Sequence, residues 1–126
     1  MHDDNLVMRL LDTSREININ KSGFDELALN NLKELTKFKN GLILISGPTG
    51  SGKTSTLYGL INEIDRIKYN VITIENPVEK EIDWASQVEI KDSKLSFADA
   101  LKAAMRQDPD IILVGEIRDR ESAELA

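Results

Sequence analysis

Eight consecutive residues, Gly47-Pro48-Thr49-Gly50-Ser51-Gly52-Lys53-Thr54, restrict the possible folds of this chain more than any other stretch. They satisfy the pattern G-x-x-x-x-G-K-[ST] at every fixed position. The pattern works only between a strand and a helix, and the flanks read that way. Leu42-Ile43-Leu44-Ile45 is a short apolar run of the buried-strand kind. Leu57, Leu60, Ile61, Ile64 and Ile67 fall on one face of a helix over about 53–67. Glycines let backbone N–H groups close around phosphate oxygens where a Cβ would intrude, and the helix N-terminus adds donors and partial positive charge. Gly47 to Thr54, together with the adjoining Ser55, therefore form the candidate phosphate site. Lys53 is placed to reach the β- and γ-phosphates of a nucleotide, and the Thr54 hydroxyl to hold Mg²⁺.

The rest of the chain supplies a sheet for that loop. A strand is expected at 5–11, followed by a polar connector. A helix then opens with Asp25 as N-cap, carries Ala28, Leu32, Leu35 and Phe38 on one face, and stops at Asn40-Gly41. Val71-Ile72-Thr73-Ile74 and Ile111-Ile112-Leu113-Val114 are further buried strands, and Ser86 to Ile90 alternates weakly, as a short or edge strand does. Pro77 breaks the first of these runs. Ser96, paired with Asp99, opens a helix whose apolar stripe is Phe97, Leu101, Ala104 and Met105 and which ends at Asp108-Pro109. A last helix is expected over about 120–126. Continuous apolar strands separated by helices predict an α/β fold, a mostly parallel sheet covered on both faces. Ligands in such sheets bind beyond the carboxyl ends of the strands.

Composition closes off other classes. With no cysteine, disulfides and thiolate metal sites are excluded. The sole histidine, His2, is near the terminus and is read as a surface residue. The apolar runs are too short to span a bilayer. The formal net charge is −6, and Lys33, Lys37 and Lys39 are interleaved with Glu34, so no basic face points to direct nucleic-acid binding.

Phosphoanhydride hydrolysis needs an oriented water and positive charge beside the phosphate cradle and the cation. Two acids follow strand ends. Glu116 comes after Gly115 at the end of 111–114, placed to hold a Mg²⁺-bound water or polarise the attacking one; its plain alternative is a surface acid. Glu75 closes the strand 71–74 and is the second candidate to orient water, with Glu79 a weaker one. Arg106 and Arg118 are candidate sources of positive charge. Arg106 equally suits a helix C-terminus, and Arg118 a pair with Asp119.

The ordered set is Asn5 to Leu11, Gly41 to Thr54, Thr73-Ile74-Glu75-Asn76-Pro77-Val78-Glu79, and Arg106-Gln107-Asp108-Pro109-Asp110-Ile111-Ile112-Leu113-Val114-Gly115-Glu116-Ile117-Arg118-Asp119. It resembles the hexameric secretion ATPases of type II secretion and type IV pilus assembly, over nearly the whole chain. In that family the stretch matching 75–79 is called the aspartate box and that matching 110–116 the Walker B region. The resemblance implies a RecA-like P-loop NTPase core, ATP and Mg²⁺ as cofactors, and Glu75 and Glu116 both needed for hydrolysis. It also implies a homo-hexamer, peripheral at the inner membrane on the cytoplasmic side and docked to a platform protein, that drives pseudopilus or pilus assembly. Residues 1–12 would be the final strand of a preceding domain, 13–40 a connector and linker helix, and 41–126 a partial motor domain truncated at its C-terminus. Asn76 stands where the family usually has Asp, and Lys80 where an aromatic is common. The family's histidine box lies beyond Ala126. The isolated segment is therefore expected to bind nucleotide weakly and hydrolyse it poorly. The alternatives within the superfamily are a pilus-retraction or DNA-uptake ATPase and a nucleotide-binding paralogue without turnover.

Overall fold

The computed structural model describes residues 17–91 and 95–126. The strand expected at 5–11 and the segment 1–12 lie outside them. Three strands, β1 (Val71–Glu75), β2 (Ser86–Glu89) and β3 (Ile111–Val114), pair in the order β2-β1-β3. Both pairings are parallel. Four helices accompany them: α1 (Glu26–Leu35), α2 (Lys53–Asn62), α3 (Phe97–Ala104) and α4 (Arg120–Leu125). Single 3₁₀ turns occupy Ile19–Lys21 and Met105–Gln107.

The central strand is apolar throughout because both of its faces are covered; all five residues of β1 are buried. Alternation along the strand splits the core in two. Val71, with Leu113 from β3, joins Tyr58 and Ile61 of α2. Ile72 and Ile74 join Ala100, Leu101 and Ala104 of α3 on the other face. The expected α/β architecture, a parallel sheet between helices, is the one observed. The caps are also as the sequence predicts: the Ala28 N–H donates to Asp25 Oδ1 at 2.8 Å, and the Asp99 N–H to Ser96 Oγ at 3.0 Å.

The alignment of β1 with β3 is fixed at their amino ends. The Asn70 N–H donates to Asp110 Oδ2 at 2.7 Å, and the Asp110 N–H returns to the Asn70 carbonyl at 2.9 Å. Asn70 Nδ2 donates to the carbonyls of Gln107 and Asp108 at 3.1 and 3.0 Å. The turn that offers those carbonyls needs a left-handed residue, and Asp108 takes it at φ 52°, as a short polar side chain can. Ile74 therefore lies opposite Val114, which sets the two carboxyl ends level.

Three expectations are corrected. The run 42–45 is not a strand: Leu42 and Leu44 are 67% and 73% exposed, and the sheet ends at β3. An apolar run states a demand for burial, but a strand also needs a backbone partner, and among the described residues 42–45 has none. Helix α1 stops at Leu35 rather than at Asn40, because the Thr36 hydroxyl donates to the Lys33 carbonyl at 2.8 Å and closes the last turn. No residue of α1 is buried, so its apolar stripe covers no core. Helix α2 ends at Asn62, and Ile67 is 91% exposed. The backbone carbonyl of Asp65 accepts the N–H groups of Lys68 and Tyr69 there and turns the chain before the helical face reaches 67.

Candidate functional site

The loop 47–52 lies open to solvent and turns through left-handed backbone at Gly50 and Gly52, φ 78° and 89°. Gly52 is also the N-cap of α2 and provides no side-chain cap bond. The first N–H groups of the helix, on Lys53, Thr54 and Ser55, are thus left for an external acceptor, which is the condition for anion binding at a helix start. Pro48 accepts the Ser51 N–H at 3.3 Å and shapes the bend that carries Thr49. The Lys53 ammonium lies back across the loop, donating to the carbonyls of Gly47 and Pro48 at 2.8 Å each. Thr54 is half-buried and Ser55 exposed.

Helix α2 runs antiparallel to β1. Tyr58 meets Glu75 at the carboxyl end of the strand, while Ile61 shares a cluster with Val71 at its beginning. The N-terminus of α2, and the loop with it, therefore extends past the carboxyl ends of the strands. Thr54 and Tyr58 are four residues apart, on one face of the helix and separated by roughly 6 Å along its axis.

Glu75 is 3% exposed. Tyr58 donates to its Oε2 at 2.6 Å; Thr73 donates to Oε1 at 2.6 Å and Gln87 Nε2 to the same oxygen at 3.3 Å. A buried carboxylate demands such donors, and β1, β2 and α2 each supply one. Sequence reasoning found Glu75 but missed Tyr58, Thr73 and Gln87. The available signal was a tyrosine on the buried face of α2, since a buried phenol needs a polar partner.

Glu116 follows β3 by two residues. Its Oε2 forms an ion pair with Arg118 Nε at 2.7 Å, while Oε1 is buried and has no hydrogen-bond partner among the described residues. Arg118 thus pairs with Glu116, and Asp119 instead caps α4 by accepting the Ser122 N–H at 2.7 Å. Gly115 separates the two acids, and its N–H donates to the Ile74 carbonyl at 2.8 Å. A Cβ at 115 would lie 3.4 Å from Glu75 Cγ and 3.3 Å from the Ile74 carbonyl oxygen. The tight approach is to the Ile74 carbonyl oxygen, while the Glu75 side chain would be met at ordinary van der Waals distance. Arg106 lies in the 3₁₀ turn before β3, at the opposite end of the sheet, and is not brought to the loop. Glu79 stays exposed, and Trp84 packs against the α2-side core.

Burial first, then the hydrogen bond to Glu75 and its negative charge, push the Tyr58 phenol above the ordinary tyrosine range. The folded state therefore keeps the proton at pH values where the unfolded chain loses it. Stability from this group is fully present below about pH 10 and declines as pH rises through the alkaline range. The wild-type unfolding midpoint is expected to fall more steeply than that of Tyr58→Phe between about pH 9 and about pH 11. Thermal melts across that range check this.

Two surface grooves, about 540 and 700 Å³, lie along α1 and the end of α2 and beside residues 80–84. Neither is lined by the loop, which lies open to solvent. No described helix is long and apolar enough to cross a membrane.

Comparison with known proteins gives a consistent result. The sequence profile of the family described as "Type II/IV secretion system protein" matches residues 1–126. The type II secretion system ATPase E of Vibrio cholerae is 40% identical over 99% of this chain and 25% of its own length. The type IV pilus assembly ATPase PilB of Myxococcus xanthus is 45% identical over 97% of this chain and 22% of its own. A crystal structure of the pilus retraction motor PilT with bound ADP superposes with a TM-score of 0.75 at 45% identity, covering 85% of this chain and 32% of that one. The chain spans about a quarter of the length of the curated relatives it matches. With the strand-end acids and the loop in the order that the motifs predict, and the profile matched along its whole length, the chain belongs to the type II/IV secretion system protein family.

Proposed function

We propose that this chain is the nucleotide-binding part of an ATP-hydrolysing motor that powers type II secretion or type IV pilus assembly. The observation that carries the reading is the Tyr58–Glu75 hydrogen bond. It holds a buried carboxylate about one helical turn from the phosphate loop, at the sheet edge where Glu116 keeps a buried oxygen without a partner.

The residues present fit Mg²⁺-ATP. The uncapped start of α2 offers N–H donors, Lys53 a charge on the loop, and Glu116 Oε1 an unclaimed buried acceptor. Thr54 would hold the cation directly and Glu116 through a bound water, since Mg²⁺ keeps most of its waters. When bound, the cation offsets the negative charge that the β- and γ-phosphates carry. The backbone N–H groups of Gly50 and of Gly52 to Ser55 bind the phosphates, and Lys53 turns from the carbonyls of Gly47 and Pro48 toward them. Glu75 and Glu116 orient the water whose addition across the β–γ anhydride releases ADP and inorganic phosphate. With three donors on it, Glu75 keeps room for a further partner on Oε2.

The wider setting proposed with this reading is a homo-hexamer peripheral at the inner membrane on the cytoplasmic side, docked to a platform protein, with no direct contact to nucleic acid. Residues 1–12, 13–40 and 41–126 are proposed as the end of a preceding domain, a linker and part of the motor domain. A retraction or DNA-uptake motor is the second reading; the 45% identity to PilT is matched by the 45% identity to the assembly ATPase PilB. Phosphate release by the full-length protein tests the enzymatic claim, and nucleotide binding without turnover would reduce it to a binding paralogue. Deletion separates the motors: loss of secretion or of surface pili supports assembly, and hyperpiliation supports retraction.

A further inference from the structure

Among the buried polar groups, the carboxylate of Glu75 has an asymmetric set of donors. Oε1 accepts from two groups, Thr73 Oγ1 at 2.6 Å and Gln87 Nε2 at 3.3 Å. Oε2 accepts from one among the described residues, Tyr58 at 2.6 Å. The Tyr58 hydroxyl has a single proton. It faces both Glu75 Oε2 and the Lys80 carbonyl at 3.0 Å, while the Lys80 N–H donates to it at 3.3 Å. The shorter contact, to a charged acceptor, takes the proton. The ring cannot swing away, because it is 1% exposed and packed with Ile61, Val71, Ile82 and Leu113. Gln87 braces the other side: its Nε2 also donates to the Lys80 carbonyl at 2.9 Å, and its Oε1 accepts the Ile82 N–H at 2.6 Å.

We propose that Tyr58 is a positioning residue for ATP hydrolysis, tying the carboxylate of Glu75 to the same helix whose first turn carries the phosphate loop. This rests on the reading of Glu75 as a water-orienting acid. Helix α2 then holds both ends of the reaction geometry. The N-terminus grips the phosphates, and the hydroxyl four residues after Thr54 fixes the acid, so movement of the helix moves both together. Thr73 and Gln87 share the other oxygen and back each other up, whereas the donor seen on Oε2 among the described residues is Tyr58. The hydroxyl therefore matters more than either donor to Oε1.

The test is steady-state hydrolysis by the full-length protein, with affinity for a non-hydrolysable ATP analogue measured in parallel. Tyr58→Phe is expected to lower kcat by roughly 10- to 100-fold, the usual effect of removing a group that orients a reacting one. KM and analogue affinity should stay within about twofold, because no phosphate contact is lost. Thr73→Val, which keeps the shape and leaves Gln87 on the same oxygen, is expected to lower kcat by about two- to tenfold. It also serves if the tyrosine variant does not fold. In a Glu75→Gln background Tyr58→Phe should cause no further loss of rate. A wild-type kcat for Tyr58→Phe would overturn the inference. So would losses of kcat, affinity and melting temperature that run in parallel in both backgrounds, since those mark a purely structural tyrosine. If Tyr58→Phe does not fold, a wild-type kcat for Thr73→Val overturns it. If Glu75→Gln itself turns over at the wild-type rate, the functional reading of Glu75 fails, and the inference fails with it.

Discussion

Lys53→Ala is expected to weaken ATP binding by roughly 10- to 100-fold and to reduce hydrolysis to background. Hydrogen bonds to charged groups contribute about 1.5–3 kcal/mol, and each 1.4 kcal/mol is a factor of about ten in affinity. Alanine removes the ammonium and has a second effect visible in the structure. The Lys53 Nζ bonds to the carbonyls of Gly47 and Pro48 brace the start of the loop against the first turn of α2. Without them the free loop is less ordered, but the wild type also gives these bonds up when Lys53 turns to the phosphates, so the loss of the ammonium dominates. The fold should survive. Lys53 is only half-buried, and its recorded hydrogen bonds go to the loop, so the melting temperature is expected to change little. Lys53→Arg keeps the charge, but its planar fork does not reproduce a point charge between two carbonyls, so an intermediate affinity is expected. Titration with a fluorescent ATP analogue reads binding, and phosphate release reads turnover. Wild-type affinity in Lys53→Ala would remove the loop from the site.

How far the sequence discloses this arrangement depends on what kind of interaction each part needs. The loop, the caps at Asp25 and Ser96, and the strands around 71–75 and 111–114 depend on neighbours along the chain or on two-sided burial. Residue type and spacing report both. Parts that depend on a partner far along the chain are hidden. Leu42 to Ile45 has the composition of a strand, yet its fate depends on whether an edge pairs with it. The face of α1 has helical spacing and no core to cover. Tyr58 and Gln87 look like an ordinary core aromatic and an ordinary strand polar residue until folding brings both to Glu75. The segment Arg106 to Asp110 shows the opposite case. It is part of the stretch that carries the resemblance, yet its described contacts are structural: Asp110 holds Asn70 and levels the strand ends, and Arg106 lies in the turn at the end of the sheet opposite the loop. The acids at the other end depend on that alignment without touching it.

Glu116→Gln is expected to leave ATP affinity within about twofold and to slow hydrolysis by roughly 100- to 1000-fold, in the range usual for loss of a group that handles a proton or orients water. Glutamine keeps the shape and can still face Arg118, but it carries no charge and can place an N–H where an acceptor stood. The wild-type side chain divides its two oxygens between two roles. Oε2 pairs with Arg118 at 2.7 Å, and Oε1 is buried without a partner among the described residues. A buried acceptor left unsatisfied is costly, so its retention points to use by a group that arrives with the nucleotide. Arg118→Ala separates the two roles. Its guanidinium is largely exposed and the pair is solvent-screened, so a loss below about 10-fold is expected. If Arg118→Ala matches Glu116→Gln, the acid serves to hold the arginine, and the positive charge carries the effect. If Glu116→Gln turns over at full rate, the water is oriented by Glu75 alone. Single-turnover hydrolysis at saturating ATP distinguishes these outcomes, because it excludes product release and isolates the chemical step to which both acids are assigned.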